Sequence, residues 1–160
     1  MRFSEYSLDF IFGLPDCHGM SDILTVVKRD TKRVILHPVP ATITADQVAA
    51  VLFDGVIRLF GVPIVLLSDQ DPRFISEVWA GLMQRLGTKL VHSTAHHPQT
   101  DGQTKRAHRV IEYILRAYLL GCPADSWVDF IGICEFAINL APSASTGVSP
   151  NELTFGQAVH

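Results

Sequence analysis

The sequence lacks the features that would place it in a membrane or in an oxidising compartment. None of its apolar runs approaches the about 18 residues that a membrane-spanning helix needs. Its first residues, Met1-Arg2-Phe3-Ser4-Glu5, do not form the apolar stretch of a signal peptide. Only three cysteines are present (Cys17, Cys122 and Cys134), and no two of them form a CxxC pair. We therefore expect reduced thiols in an intracellular protein, with neither a disulfide framework nor a structural zinc site.

Charge is sparse and nearly balanced over the chain as a whole. The 160 residues include 13 Lys and Arg and 16 Asp and Glu, a formal net charge of −3, which argues against a polybasic coat. The distribution is uneven, because residues 73–116 hold seven bases and three acids, whereas 120–160 hold four acids and no Lys or Arg. These basic residues fit either an ordinary solvated face or a local patch for nucleic acid.

The hydrophobic residues, 48% of the chain, predict one α/β domain with its own core. Short β-rich runs indicate strands, and the first three of these can form an antiparallel meander. A capping box at Thr44 and Gln47 predicts the start of a helix whose apolar face is Val48, Val51, Leu52, Val56 and Leu59. The strands are expected at residues 8–12, 23–27, 33–39, 64–67 and 89–91. The helices are expected at residues 44–60, 75–86, 103–120 and 126–139, and a loop is expected at residues 93–102. The result is a mixed five-stranded sheet flanked by helices.

The helix predicted at 103–120 has two distinct faces. Its apolar stripe is Val110, Ile111, Ile114, Leu115 and Tyr118, and its polar face is Lys105, His108, Arg109, Glu112 and Arg116. The next helix is expected to turn Val128, Ile131, Phe136 and Ala137 inward. After it, Pro142, Gly147 and Pro150 are expected to break the chain.

Two aspartates stand where a carboxylate is costly unless it is paired or bound to a cation. Asp9 interrupts an apolar strand, and Asp69 follows a buried strand at its carboxyl end, where α/β sheets place ligands. Asp69 fits a turn residue in Asp69-Gln70-Asp71-Pro72 as well as a metal ligand, and Asp9 fits an edge-of-strand residue facing water. Two carboxylates brought together can bind Mg²⁺, because that ion retains waters and takes phosphate oxygens as further ligands.

Three blocks of sequence resemble the catalytic core of gypsy-type LTR-retrotransposon integrases. They are Leu8-Asp9-Phe10-Ile11 with Gly13-Leu14-Pro15, then Leu67-Ser68-Asp69-Gln70-Asp71-Pro72-Arg73-Phe74, and Ser93-Thr94-Ala95-His96-His97-Pro98-Gln99-Thr100-Asp101-Gly102-Gln103-Thr104. Later blocks of the same family match Trp127, Glu135-Phe136-Ala137 and Ser145-Thr146-Gly147-Val148-Ser149-Pro150. The resemblance therefore spans about residues 8–157. The SDxDPRF and HPQTDGQT blocks are highly specific.

The resemblance implies a ribonuclease H-like fold that inserts element DNA into host DNA. In that family two Asp and one Glu bind paired Mg²⁺ or Mn²⁺, and the two Asp match Asp9 and Asp69. The Glu follows the second Asp after 35 intervening residues, and Lys105 occupies that position here. The resemblance thus assigns Asp9, Asp69 and Lys105 to the catalytic positions, with Asp9 and Asp69 as the metal ligands.

Lysine in place of glutamate removes a ligand and brings a charge of the wrong sign. We expect its ammonium to lie where a metal ion would otherwise sit, bridging the two aspartates. Glu112 faces the same way but lies about 10.5 Å further along the helix, and Asp101 belongs to a block of its own. The substitution argues against binding of Mg²⁺ or Mn²⁺ and predicts impaired strand transfer. Lys28 is a second departure, because the family usually carries Asp there.

The resemblance also suggests where DNA would bind. Residues expected to contact it without reading its sequence are Arg73, Gln99, Gln103, Lys105, Arg106, His108, Arg109 and Arg116. A solvated helix face explains the polar stripe equally well. His92, His96 and His97 lie close together, but they lack the partners of a metal motif and are interpreted as family loop residues.

Two functions stay open at this stage. One is the integrase core of a retrotransposon-type polynucleotidyl transferase, impaired at position 105; the other is a non-enzymatic DNA-binding or oligomerisation module derived from it. We expect a DNA partner, a homodimer formed through apolar helices, a nuclear location and no membrane association. Residues 1–160 are expected to form a single core-like domain, with neither a zinc-binding N-terminal domain nor a C-terminal chromatin- or DNA-binding domain.

Overall fold

A computed structural model describes residues 4–93 and 98–158, and of residues 98–104 it describes the backbone alone. Five strands form one sheet in the order β3-β2-β1-β4-β5. Their bounds are β1 Glu5–Ile11, β2 Asp22–Lys28, β3 Val34–Val39, β4 Val65–Ser68 and β5 Lys89–His92. β1, β2 and β3 pair antiparallel, and β4 and β5 run parallel to β1, so the predicted mixed five-stranded sheet and its meander are confirmed.

Helices cover both faces of this sheet. Their bounds are α1 Ala45–Leu52, a π-helical turn Phe53–Ile57, α2 Arg58–Phe60, α3 Glu77–Leu86, α4 Pro98–Leu119, a 3₁₀ turn Ala124–Ser126, α5 Trp127–Leu140 and α6 Pro150–Phe155. In the part of the chain that the structure describes, no helix is both long enough and apolar enough to cross a membrane.

Two of the predicted loop segments are helical. α4 starts at Pro98, so the loop expected as far as residue 102 is wrong in its second half. Pro150, expected to break the chain, begins α6, and the Ser149 side chain accepts a hydrogen bond from the Glu152 amide to cap that helix. Proline suits the first turn of a helix, because an amide there has no partner within the helix. A proline in this sequence therefore marks a helix start as readily as an end.

Each face of the sheet carries its own hydrophobic core. One face packs against α1 and α3 and buries Tyr6, Phe10 and Trp79. The other packs against α4 and α5 and buries Ile111 and Trp127. Because side chains alternate along β1, Phe10 belongs to the first face, and Ile11 and Asp9 belong to the second.

Several residues predicted to lie on apolar helix faces are exposed. Val110 on α4 and Phe136 on α5 face solvent, whereas Cys134 and Asn139 are buried on α5. Leu59 is also exposed, because the helix that begins at Ala45 passes through a π-helical turn before reaching it. A π turn adds one residue per turn and rotates all later side chains around the axis, so the 3.6-residue pattern fails beyond it.

The π-helical turn brings the backbone of Gly55 against His37 of β3. A Cβ atom on Gly55 would lie 2.2 Å from the imidazole Cε1 and Nε2 atoms. Burial lowers the pKa of His37, so the neutral ring is favoured in this contact. Glycine at position 55 is therefore a packing requirement between the helix and β3.

Replacing Gly55 by alanine is expected to destabilise the fold by about 1–3 kcal/mol, because the imidazole must leave its packed position. The same change at Gly81 of α3 meets no atom within 4 Å and should stabilise by about 0.5–1 kcal/mol. Urea unfolding of both variants measures the difference. A Gly55→Ala variant that gains stability as Gly81→Ala does would contradict the contact, and adding His37→Ala should remove most of the cost.

Candidate active site and nucleic-acid interface

The sheet brings the two predicted aspartates to the same end, where the parallel strands β1 and β4 finish. β1 is the middle strand, and Ser7 pairs with Leu67 of β4 in parallel register. Asp9 lies two residues after Ser7 on β1, and Asp69 lies two residues after Leu67, directly after the end of β4. The side chain of Asp9 is only 18% exposed. Asp9 pairs with Thr25 of β2 within the strand, and its side chain is largely buried, so the alternative in which Asp9 is an edge-of-strand residue facing water is wrong.

Asp69 organises the loop that follows β4. Its Oδ1 accepts a hydrogen bond from the Asp71 amide at 3.0 Å, the pattern of an Asx turn. The turn interpretation of Asp69 is thus confirmed, and its role as a metal ligand stays a prediction. The two roles are compatible, since a carboxylate has a second oxygen to offer.

Arg73, predicted to contact DNA, is held within the same loop. Its Nε and Nη2 atoms donate to the two carboxylate oxygens of Asp71, each at 2.9 Å, and its guanidinium lies 3.9 Å from the centre of the Phe10 ring. These hydrogen bonds, with the negative charges of Asp71, Asp22 and Asp69, raise the pKa of Arg73, and the same bonds lower the pKa of Asp71. The positive charge of Arg73 therefore offsets the negative charge of the aspartates at this end of the sheet.

Asp22 also lies at this end of the sheet, and it was not predicted from the sequence. Its buried carboxylate accepts a hydrogen bond from the Gly13 amide at 3.2 Å, which ties the start of β2 to the chain that leaves β1. The signal in the sequence is weak, because a lone Asp before an apolar strand is also a common turn residue.

α4 packs across β1 and sets His108 against Asp9. The distance from His108 Nε2 to Asp9 Oδ2 is 3.7 Å, and the His108 side chain is only 15% exposed. The prediction that His108 lies on the polar face of this helix is wrong. His108 precedes the buried residues Ile111 and Leu115 by three and seven positions, the spacing of a shared helix face, so a pattern in the sequence was available.

The remaining predicted DNA-contacting residues of α4 face solvent where the structure describes them. Lys105, Arg106, Arg109 and Arg116 are all exposed. Lys105, Arg109 and Arg116 are spaced by four and seven residues, so they lie along one side of the helix. The side chains of Gln99 and Gln103 lie outside the described part of the chain.

The described residues do not fit a pair of magnesium ions held by three carboxylates. Position 105 carries a lysine, and Glu112 is exposed further along α4. Among the side chains that the structure describes, no three Asp, Glu, His or Cys residues are grouped so that they could hold one ion.

Of the three clustered histidines, only His92 is described. Its Nδ1 atom lies 3.1 Å from the hydroxyl of Ser68, which joins the ends of β5 and β4 beside Asp69. His96 and His97 lie outside the described residues. The interpretation of His92 as a loop residue needs correction, because it is the last residue of β5.

Known proteins are similar to this chain in sequence and in fold. Residues 3–98 match the family described as "Integrase core domain". The chain belongs to the integrase core domain family. It is 35% identical over 147 residues to the Transposon Tf2-3 and Tf2-4 polyproteins of Schizosaccharomyces pombe. Those residues are 92% of this chain and 11% of each polyprotein, so the chain spans about one ninth of the relatives it matches.

Solved integrase structures share the fold of this integrase core. The catalytic core domain of BIV integrase superposes with a TM-score of 0.72 at 21% identity, covering 97% of this chain and 95% of that one. A chain of the simian T-cell lymphotropic virus intasome in complex with PP2A regulatory subunit B56 gamma gives a TM-score of 0.77 at 15% identity, covering 94% and 54%. The ribonuclease H-like fold expected from the sequence is confirmed.

Proposed function

We propose that this chain is a DNA-binding integrase core of the retrotransposon type whose strand-transfer chemistry is impaired. One observation supports the proposal: by the resemblance, Lys105 stands at the family's third acidic position, in a fold whose parallel β1–β4 pairing brings Asp9 and Asp69 to the same end of the sheet. Replacing a carboxylate by an ammonium changes the local charge by two units, which opposes the binding of a divalent cation. DNA binding does not require that cation, because phosphates are attracted by Lys and Arg directly.

The exposed basic side of α4 supports the DNA-binding half of the proposal. Lys105, Arg109 and Arg116 extend along the helix, and Arg106 lies on an adjacent side. Each exposed base that neutralises a phosphate releases condensed counterions, which favours binding at low salt and weakens it as salt rises. Contacts of this kind fix the position of a duplex without reading its sequence. A DNA partner implies that the protein acts in the nucleus.

The affinity for duplex DNA is expected to fall steeply with added salt. Arg109→Ala and Arg116→Ala should each weaken binding and reduce the slope of log affinity against log salt by about one. Fluorescence anisotropy in the presence of EDTA measures both quantities without any metal ion. Arg85→Ala is the matched control, because Arg85 is exposed on α3, which packs on the opposite face of the sheet. Equal losses for Arg85→Ala and Arg109→Ala would contradict an interface on α4.

The non-enzymatic alternative, an oligomerisation module, rests on a different observation. Ile133, Phe136 and Leu140 are apolar residues exposed on one side of α5, at the spacing of successive helical turns. A homodimer would bury such a face. Sedimentation equilibrium of the chain without DNA distinguishes this function, because a chain that stays monomeric at high concentration does not use α5 for self-association.

A further inference from the structure

The two tyrosines of helix α4 have opposite surroundings. The ring of Tyr118 stacks on Phe130 of α5, with 3.7 Å between the ring centres, and its hydroxyl lies 3.3 Å from the Ser126 hydroxyl. Tyr113 lies five positions earlier on the same helix, and it is 75% exposed. Packing within the chain therefore accounts for Tyr118, whereas the aromatic ring of Tyr113 lies largely in water.

Tyr113 lies at the centre of the exposed side of α4, among basic residues. Successive residues of a helix are rotated by about 100° around its axis. Arg106, Arg109 and Arg116 therefore lie within about 60° of this tyrosine around the axis, and all three are exposed. Over residues 105–119, four of the exposed residues are basic and one is acidic. The positive charge around the ring favours a polyanion as its partner.

The same side of the helix also offers apolar surface. Val110 precedes Tyr113 by three positions, one helical turn, and it is exposed as well. In duplex DNA the faces of the bases stack on one another inside the helix, and the outside offers phosphates, sugars and base edges. An unpaired strand offers the flat faces of its bases beside its phosphates, and aromatic side chains bind such faces by stacking. The combination of an exposed ring and arginines therefore favours an unpaired strand over a duplex.

We propose that Tyr113 stacks on an unpaired base of a DNA strand whose phosphates are bound by the neighbouring arginines. Arg109 and Arg116 are seven residues apart, which is about 10.5 Å along the helix axis. A strand with about 3.4 Å between successive phosphates spans that distance with about three nucleotides. The two arginines can thus bind the backbone while the ring between them takes a base. This inference rests on the proposed function, because it names the form of DNA that the basic side of α4 takes, a single strand or an unpaired end.

The test compares one oligonucleotide as a single strand and as a duplex, by fluorescence anisotropy with the full chain in EDTA. Tyr113→Ala should lower the affinity for the single strand about five- to 150-fold, the range for one stacked base, and that for the duplex less than about twofold. Tyr113→Phe retains the ring and should bind both forms as the unmodified chain does. Phe53→Ala is the matched control, because Phe53 is also an exposed aromatic residue but lies in the π-helical turn on the other face of the sheet.

A single strand that carries 2-aminopurine in place of adenine gives a second measurement. The fluorescence of this base falls when an aromatic ring stacks on it. The unmodified chain and the Tyr113→Phe variant should therefore quench it when they are saturated with the strand, and saturated Tyr113→Ala should quench it less. Equal quenching by all three at saturation would contradict the stacking.

Other outcomes would also overturn the stacking. Equal losses of single-strand and duplex affinity in Tyr113→Ala would make this residue a general contact to the backbone. Equal losses in Tyr113→Phe and Tyr113→Ala would assign the contact to the hydroxyl. Unchanged single-strand affinity in Tyr113→Ala, with loss of self-association in sedimentation, would assign this side of α4 to a second copy of the chain. Each of these results leaves the proposed function intact, whereas the absence of salt-dependent binding of either form of DNA would contradict that function and the stacking with it.

Discussion

Replacing Lys105 by glutamate is expected to raise the affinity of this integrase core for Mg²⁺ and Mn²⁺. The variant would add a carboxylate at position 105 to those of Asp9 on β1 and Asp69 directly after β4. Calorimetry with each ion measures the change, and a strand-transfer assay with an oligonucleotide substrate shows whether chemistry follows. We expect the affinity for Mn²⁺ to rise about a hundredfold or more.

The size of this effect follows from the charges involved. A unit charge about 5 Å from another interacts with roughly 3 kcal/mol at an effective dielectric constant near 20. Exchanging an ammonium for a carboxylate changes the interaction energy with a divalent cation by more than this energy of one charge pair, even after screening by solvent around the exposed side chain. A hundredfold change in affinity corresponds to about 2.7 kcal/mol, which is smaller than that change and therefore a lower bound for the expected gain.

The Lys105→Gln variant separates the effect of removing the positive charge from the effect of adding a carboxylate. It removes the positive charge and supplies no carboxylate, so it should recover only a fraction of the affinity gained by Lys105→Glu. If glutamine and glutamate bind Mg²⁺ equally well, the third carboxylate is not what the site lacks. Tight Mg²⁺ binding together with strand transfer by the unmodified chain would contradict the proposal of an impaired integrase.

The positions of the strands along the chain were predictable because most strands are short apolar runs closed by turn residues. The antiparallel β2–β3 pair follows from two such runs on either side of a charged cluster, and a buried β4 follows from its uniformly apolar sequence. The Asp69 turn was likewise visible in Asp69-Gln70-Asp71-Pro72. In each case the neighbours in the chain determine the structure.

What the sequence did not reveal depends on contacts between distant elements. The π-helical turn that exposes Leu59 depends on packing against β3, where His37 meets Gly55. The approach of His108 to Asp9 joins residues 99 positions apart, and a helical pattern shows which side of α4 a residue faces but not what lies opposite it. A contact between residues so far apart in the chain cannot be predicted from the local sequence pattern.

The outer edge of β3 shows the same dependence, through two polar residues of α5. β3 is an edge strand, and half of its backbone groups have no neighbouring strand to pair with. Asn139 accepts a hydrogen bond from the Val34 amide at 2.8 Å and donates one to the Val34 carbonyl at 2.7 Å. Glu135 accepts from the Leu36 amide at 2.9 Å, and its burial raises the pKa of its carboxyl. These side chains act as a substitute strand.

Asn139→Leu is therefore expected to destabilise the fold by about 2–5 kcal/mol, although leucine is apolar and similar in size. The change leaves the buried amide and carbonyl of Val34 without partners, and each orphaned group costs about 1–3 kcal/mol. Urea unfolding measures the loss, and light scattering should show more self-association, because the freed edge can pair with another chain. Gln84→Leu is the control, since it replaces an exposed amide near the end of α3 and should change stability by less than about 0.5 kcal/mol. If the two variants are equally stable, the Asn139 amide does not hold the edge of the sheet, and α5 is fixed by its apolar contacts alone.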